Sequence, residues 1–189
     1  MVRLATGSVV AAAGRRKRRM VDWDAIISRD GPAVWRTAYR LLGNRADADD
    51  CFQETFLAAL SVWGRQAVRH PRAMLQRLAT ARALDRLRRR YRRAHREGGV
   101  VEWDALRSAD PRPPQLAEAA ELSDRLRAAL SDLPPKQAQA FCLYYLDGWD
   151  YQQIADHVGA TVNAVGVLLH RARHRLRELL GEVGTYDAR

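Results

Sequence analysis

Leu75, Ala79, Ala83, Leu87 and Tyr91 recur every four residues through the stretch PRAMLQRLATARALDRLRRRYRR. That spacing places them along one side of a helix. Around the stripe the chain is crowded with cations: from Arg65 to Glu97 there are twelve arginines against two acids, Asp85 and Glu97. Such a helix has to bury one narrow stripe against other helices while its remaining faces meet water or a polyanion. The net charge of +10 over 189 residues points the same way, towards nucleic acid or a lipid surface. Between Glu102 and Pro135 the balance reverses, with seven acids against four arginines.

The rest of the chain also reads as helix, and no stretch carries a strand signal or an internal repeat. WDAIISRDGPAVWRTAYRLLG places Ile26, Ile27, Val34, Tyr39, Leu41 and Leu42 at spacings compatible with one face. Gly31-Pro32 is expected to break that helix in two, and Gly43-Asn44 to end it. ADADDCFQETFLAALSVW forms the next helix, with Asp47, Asp49 and Asp50 at the positive end of its dipole and Phe52, Phe56, Leu57 and Leu60 as its apolar side. Pro71 opens the arginine-rich helix and Gly98-Gly99 closes it. VVEWDALRSADPRPPQ, with three prolines and no clean period, is a linker. Beyond it come LAEAAELSDRLRAALSDL and a helix opened by Pro134-Pro135 and stopped by Gly148. The expectation is an all-α protein of two small helical domains joined by a flexible linker. Its parts are a basic disordered tail at 1–20, a first domain at 21–97, a linker at 98–115, a second domain at 116–181 and a tail at 182–189. Met20 is a second candidate start.

The segment DYQQIADHVGATVNAVGVLLHRARHRLREL, residues 150–179, reads as a helix-turn-helix. Ile154, Ala155 and Val158 form the apolar side of its first helix, Gly159 permits a left-handed turn and Thr161 is the N-cap. Val162, Val165, Leu169, Ala172 and Leu176 then step inward by three and four. Asn163, Gly166, Val167, His170 and Arg171 are left outside, where a helix fits the major groove. An ordinary helical hairpin shares this periodicity. The added Arg173, His174, Arg175 and Arg177 favour phosphate contact.

Cys51 and Cys142 stand apart, without a CxxC or a His/Cys cluster, so two buried thiols in a reduced cytoplasmic setting are expected. No apolar run is long enough to span a membrane. His170 and His174 lie four apart on one helix face, but with no neighbouring Cys or carboxylate ligand they read as phosphate-facing side chains, and no metal or cofactor is expected. The chain has no Gly-rich phosphate loop, no HExxH and no nucleophile setting that would mark an enzyme.

Taken together, VWRTAYRLLGNRADADDCFQETFLAAL, PRAMLQRLATARALDRLRRR and LPPKQAQAFCLYYLDGWDYQQIADHVG…LHRARHRL resemble the extracytoplasmic-function sigma factors of bacterial RNA polymerase, of the sigma-70 family. The resemblance runs from about Val21 to Leu180, with the pieces in the family's order. It implies a promoter-recognition subunit that binds core polymerase, through the beta-prime clamp and the beta subunit, and opens promoter duplex. Asp50, Gln53, Glu54 and Phe56 would be the polymerase contacts. Without the resemblance, the same residues read as a solvated acidic helix end over core phenylalanines. Trp63, Gln66, Arg69 and Arg72, with Arg77, Arg82, Arg86 and Arg88, would read and open the minus-ten element. Trp63 serves equally as core, and the arginines as a solvated face, though so dense a run favours phosphate. Thr161, Asn163, Ala164, Val167, His170, Arg171 and Arg173 would meet the minus-thirty-five element. The linker would run along the polymerase towards its RNA exit path, and an anti-sigma factor is an expected partner.

The chain departs from the family where Lys-Ser-Arg is frequent on the recognition helix and Gly166, Val167 and Leu168 stand instead. Val167 and Leu168 then pack on thymine methyls, bury against a partner or the first domain, or leave base reading weak. Weakened or altered readout is the expectation. Gly166 costs the helix ~1 kcal/mol relative to Ala, which suggests a close backbone approach. Met74 stands where Trp is frequent and Ala81 where Asn is frequent. The rival reading is a stand-alone helix-turn-helix regulator, which has no need of the Asp47–Leu60 helix.

Overall fold

The computed structural model describes residues 21–63, 68, 70–97 and 114–181. Among them run seven α-helices and no strand: α1 (Trp23–Leu42), α2 (Arg45–Trp63), α3 (Pro71–Arg96), α4 (Pro114–Asp132), α5 (Pro135–Tyr145), α6 (Tyr151–Val158) and α7 (Val162–Leu180). The two tails, Gly98-Gly99 and almost all of the expected linker lie outside the described residues.

The first half is a three-helix unit around α3. The Asp22 carboxylate caps α1 by accepting from the Ala25 amide at 3.0 Å. At its far end Gly43 adopts φ 77°, and its N–H closes on the Tyr39 carbonyl at 2.9 Å. The chain then turns at once, because Asn44 caps α2 by accepting from the Asp47 amide at 2.8 Å. Contrary to the sequence expectation, Gly31-Pro32 does not break α1. The helix is continuous with Pro32 inside it, and Gly31, Ala33 and Val34 are all buried. A proline there costs roughly 3 kcal/mol, and the helix persists in a segment whose Gly31 lies against the Phe52 ring and whose Ala33 and Val34 are buried. Ile27 and Tyr39, assigned to the inner face, are exposed, and so are Leu57 and Leu60 of α2.

The expected stripe of α3 is buried along its whole length, from Leu75 through Ala79, Ala83 and Leu87 to Tyr91. Val34, Phe56, Ala59, Met74, Leu75 and Ala79 close the core near the start of α3. In the second half, Ala140, Leu143, Trp149, Ile154, Ala155, Val165 and Leu169 enclose the helix-turn-helix.

A third cluster joins the halves. Leu41, Leu42, Leu84, Leu87 and Tyr91 meet Leu130, Leu133, Ala138, Cys142 and Leu176 in one buried group. Each leucine so covered contributes roughly 1.5–3 kcal/mol. Helix α3 is therefore buried on two sides, by α1 and α2 on one and by α4 and α5 on the other.

Candidate functional site

Helix α3 turns part of its arginine load onto α2. The Arg86 guanidinium donates to Glu54 at 2.7 Å and lies 3.6 Å from both Asp47 and Asp50. Arg82 reaches Glu54 at 3.6 Å, and Arg90 is hydrogen-bonded to Asp47. Burial alone would lower the Arg86 pKa, but the Glu54 hydrogen bond and the charges of Glu54 and Asp50 raise it on balance. The network is not saturated, since the Nε–H groups of Arg77, Arg82 and Arg86 are buried without an acceptor.

The outer face of α2 carries Asp50 and Gln53 exposed and Glu54 half-exposed, followed by Leu57 and Leu60, which are 64% and 48% exposed. These positions follow one another at helical steps, so they form a continuous stripe of carboxylate, amide and aliphatic surface. Phe56 is not part of it. It is 8% exposed and packs on Phe52 with ring centroids 4.8 Å apart, supporting the face from beneath. The sequence reading had placed Phe56 in contact and the two leucines inside; the phase of the exposed positions 50, 53, 57 and 60 was the signal available.

Among the described residues, those expected at the minus-ten element do not make one basic track. Gln66 and Arg69 lie outside the described residues. Trp63 is half-buried, edge-on to Trp23 with centroids 4.9 Å apart. Arg72 is exposed at the first turn of α3, and Arg77 is half-buried. Arg82 and Arg86 face α2, whereas Arg88 turns to the other side, donating to Asp85 at 3.1 Å and to the Leu133 carbonyl at 3.5 Å. The other exposed arginines of α3 are Arg89, Arg92, Arg93 and Arg96, which with His95 line an open groove of about 1030 Å³. The sequence reading left them out of the site. Met74 is a core residue, as its thioether suits.

The helix-turn-helix is built as its sequence implies. Asp150 accepts from the Gln153 amide at 2.7 Å while the Gln153 side chain accepts from the Asp150 amide at 3.0 Å, a reciprocal cap on α6. Gly159, at φ 65°, ends α6, and Thr161 starts α7 by accepting from the Ala164 amide at 3.1 Å. Val165, Leu169, Ala172 and Leu176 face inward; Val162 does not, and is exposed. Thr161, Asn163, Val167, His170, Arg171 and Arg173 are all exposed, and Ala164 is half-buried.

Two details correct the reading of Gly166-Val167-Leu168. Leu168 is partly buried on the helix-turn-helix cluster, so of these three residues Val167 presents the most apolar surface, 44% exposed. Gly166 is not imposed by a close approach within the fold. A methyl group there would meet only the Tyr151 ring, at an ordinary 3.7 Å.

Burial lifts the Cys51 thiol to about 11 and pushes Cys142 up as well, as expected of structural thiols. Among the described residues no helix is long and apolar enough to cross a membrane.

Two families match this arrangement half by half: Sigma-70 region 2 over residues 26–93 and Sigma-70 region 4 over residues 123–176. The chain is 33% identical over 177 residues to the ECF RNA polymerase sigma factor SigE of Mycolicibacterium smegmatis, covering 94% of this chain and 68% of that one. It is 32% identical over 133 residues to the ferric citrate uptake sigma factor FecI of Escherichia coli, covering 69% and 73%. It is 27% identical over 157 residues to the ECF RNA polymerase sigma factor SigW of Bacillus subtilis, covering 79% and 84%. Its fold is similar to that of the sigma factor RpoE of Bartonella quintana, solved in complex with the anti-sigma factor NepR. The TM-score there is 0.54 at 23% identity, over 86% of this chain and 99% of that one. The chain belongs to the extracytoplasmic-function sigma factors of the sigma-70 family. It directs RNA polymerase to promoters, and the family is not an enzymatic one.

Proposed function

We propose that α2 is the face that grips core polymerase, through Asp50, Gln53, Glu54, Leu57 and Leu60, on the beta-prime clamp. The observation that carries this is the exposure of two leucines beside carboxylates on an otherwise basic protein. Exposed aliphatic surface rimmed by polar groups is the anatomy of a protein–protein interface, an apolar centre within a polar rim. A stand-alone DNA-binding regulator has no use for that stripe. Residues 21–97 would act as the unit that engages and opens the minus-ten element, 98–115 as the linker, and 116–181 as the unit that reads the minus-thirty-five element as duplex. In the second unit Asn163, Val167 and His170 would face base edges, and Arg171 and Arg173 the phosphates. With one aliphatic side chain where polar readers are frequent, base discrimination there is weak or directed at a thymine methyl.

The partners are then core polymerase, promoter DNA and an anti-sigma factor, met in the cytoplasm. The exposed arginines towards the end of α3 add to the phosphate-binding surface of the first unit. Reconstitution tests the reading: the purified chain with core polymerase should give run-off transcripts from a genomic promoter library. The Leu57→Asp, Leu60→Asp double variant should keep its helicity and lose polymerase binding. Normal binding by that variant would remove the docking face.

A further inference from the structure

Residues meant for two different partners hold each other in this structure. Glu54 of α2 belongs to the proposed polymerase face, whereas Arg82 and Arg86 of α3 are expected at the minus-ten element. Arg86 donates to one Glu54 oxygen at 2.7 Å, and Arg82 lies 3.6 Å from the other. One carboxylate therefore serves both cations. The two arginines differ in what else they have. Arg86 also lies 3.6 Å from Asp47 and from Asp50. For Arg82, Glu54 is the one carboxylate within ion-pair distance among the described residues. Arg82 is 35% exposed and Glu54 42%, so solvent and partners reach both. The Nε–H of Arg82 is buried without an acceptor, so the present pairing leaves one of its donors unused.

A phosphate that approaches Arg82 meets the Glu54 charge on the same guanidinium, and two anions sharing one cation repel each other. The Arg82–Glu54 contact is long and part-exposed, so it is weak, and Glu54 exchanges it readily for a better-placed cation. A cationic group of polymerase that takes Glu54 removes the repulsion and leaves Arg82 without a carboxylate. Arg86 keeps Asp47 and Asp50, and with them the link between α2 and α3. We infer that Glu54 is an internal counter-ion that withholds Arg82 from nucleic-acid phosphate in the free chain and releases it when core polymerase engages α2. The coupling is reciprocal: a phosphate on Arg82 frees Glu54 and strengthens polymerase binding by the same factor. The trigger rests on the docking face proposed above; the counter-ion relation between Glu54 and Arg82 does not. It also gives a reason for the orientation of Arg82, which faces α2 in the free chain instead of joining a basic track.

The first test needs no polymerase. The full chain at low salt is titrated into a fluorescent single-stranded oligonucleotide of mixed sequence, about twelve nucleotides long. Glu54→Gln should bind it about threefold more tightly than the parent, the factor that a part-exposed ion pair is worth. Glu121→Gln, the same loss of charge at an exposed position of α4, sets the effect of net charge alone. The gain should vanish when Arg82→Gln is added, with helical circular dichroism unchanged throughout. A gain no larger than that of Glu121→Gln, or one that survives the loss of Arg82, would overturn the counter-ion. Should Glu54→Gln lose its helices, Glu54→Asp takes its place, since it keeps the charge but draws it back from Arg82; no gain in that variant would overturn the counter-ion too. The second test uses core polymerase without DNA. Arg82→Gln removes the internal competitor for Glu54, so it should bind polymerase about threefold more tightly than the parent. Unchanged or weaker binding would overturn the trigger. A parent chain that fails to bind polymerase would defeat the proposed function instead, because the oligonucleotide titration involves no polymerase.

Discussion

The Arg86 guanidinium sits 2.7 Å from Glu54 and 3.6 Å from each of Asp47 and Asp50, tying three carboxylates of α2 to one cation of α3. Removing it leaves like charges facing one another on a half-buried surface. Arg86→Ala is expected to cost about 1–3 kcal/mol, a fall of roughly 2–10 °C in Tm. Arg82→Ala, which loses a longer and more exposed contact, should stay within about 0.5 kcal/mol. Thermal unfolding of the two variants side by side checks the ranking; equal losses would mean that the network does not hold the helices together.

Leu57→Asp is the cleanest probe of polymerase docking, since the side chain is mostly in solvent and the fold does not depend on it. Affinity for core polymerase should fall at least tenfold, or about 1.4 kcal/mol, with Tm within a degree or two of the parent. Glu54→Lys is a less specific probe, because it also places a cation beside Arg82 and Arg86.

Two glycines should respond in opposite directions to alanine. At Gly166 the helix gains propensity and the methyl finds room, so Gly166→Ala should stabilise the protein by up to about 1 kcal/mol. At Gly43 the backbone is left-handed and the methyl collides with Arg127, so Gly43→Ala should destabilise by more than about 1 kcal/mol. Denaturant midpoints decide both.

Promoter binding by the second half should fall steeply with salt. Arg171→Ala and Arg173→Ala should each lower the log–log slope by ~0.9, if each neutralises one phosphate, while leaving sequence preference unchanged. A change in preference without a change in slope would place that arginine on a base.

Alkaline pH should reveal the buried thiols. The Cys51 pKa is raised, chiefly by burial, from 9.0 to about 11, so the folded state holds that proton more tightly than the unfolded state does. Stability is then lost as pH climbs from about 9 to about 11. Chemical denaturation across that window should show a shallower loss for Cys51→Ala than for the parent chain.

Much of this was legible in the chain itself. The helical segments follow from the periods, except that the first is one helix and not two, and the cap of α7 by Thr161 follows from local chemistry within four residues; the Asp150–Gln153 cap of α6 is as local and went unread. The rest of what sequence reading missed depended on distant partners. Pro32 looked like a break because local propensity argues for one; α2 and α3, which bury that segment, are not local. Leu57 and Leu60 looked like core because leucine usually is, yet the helical phase of α2 is set by Ala48, Cys51, Thr55 and Ala59, small residues that let α3 approach. The arginines of α3 were assigned together, and only the positions of α2 and of α4–α5 separate Arg86 from Arg88. Arg127 of α4 donates to the Leu41 carbonyl at 3.1 Å and the Arg40 carbonyl at 3.2 Å, a tie across more than eighty positions that left no local signature.

That tie sets a rule for exchanging parts. A hybrid built by grafting this first half onto a foreign second half would carry carbonyls at 40 and 41 that await a guanidinium, and a bare glycine shaped to admit it. Gly43 and Arg127 would have to be transplanted as a pair, so the practical unit of inheritance straddles the boundary at which a protein engineer would cut.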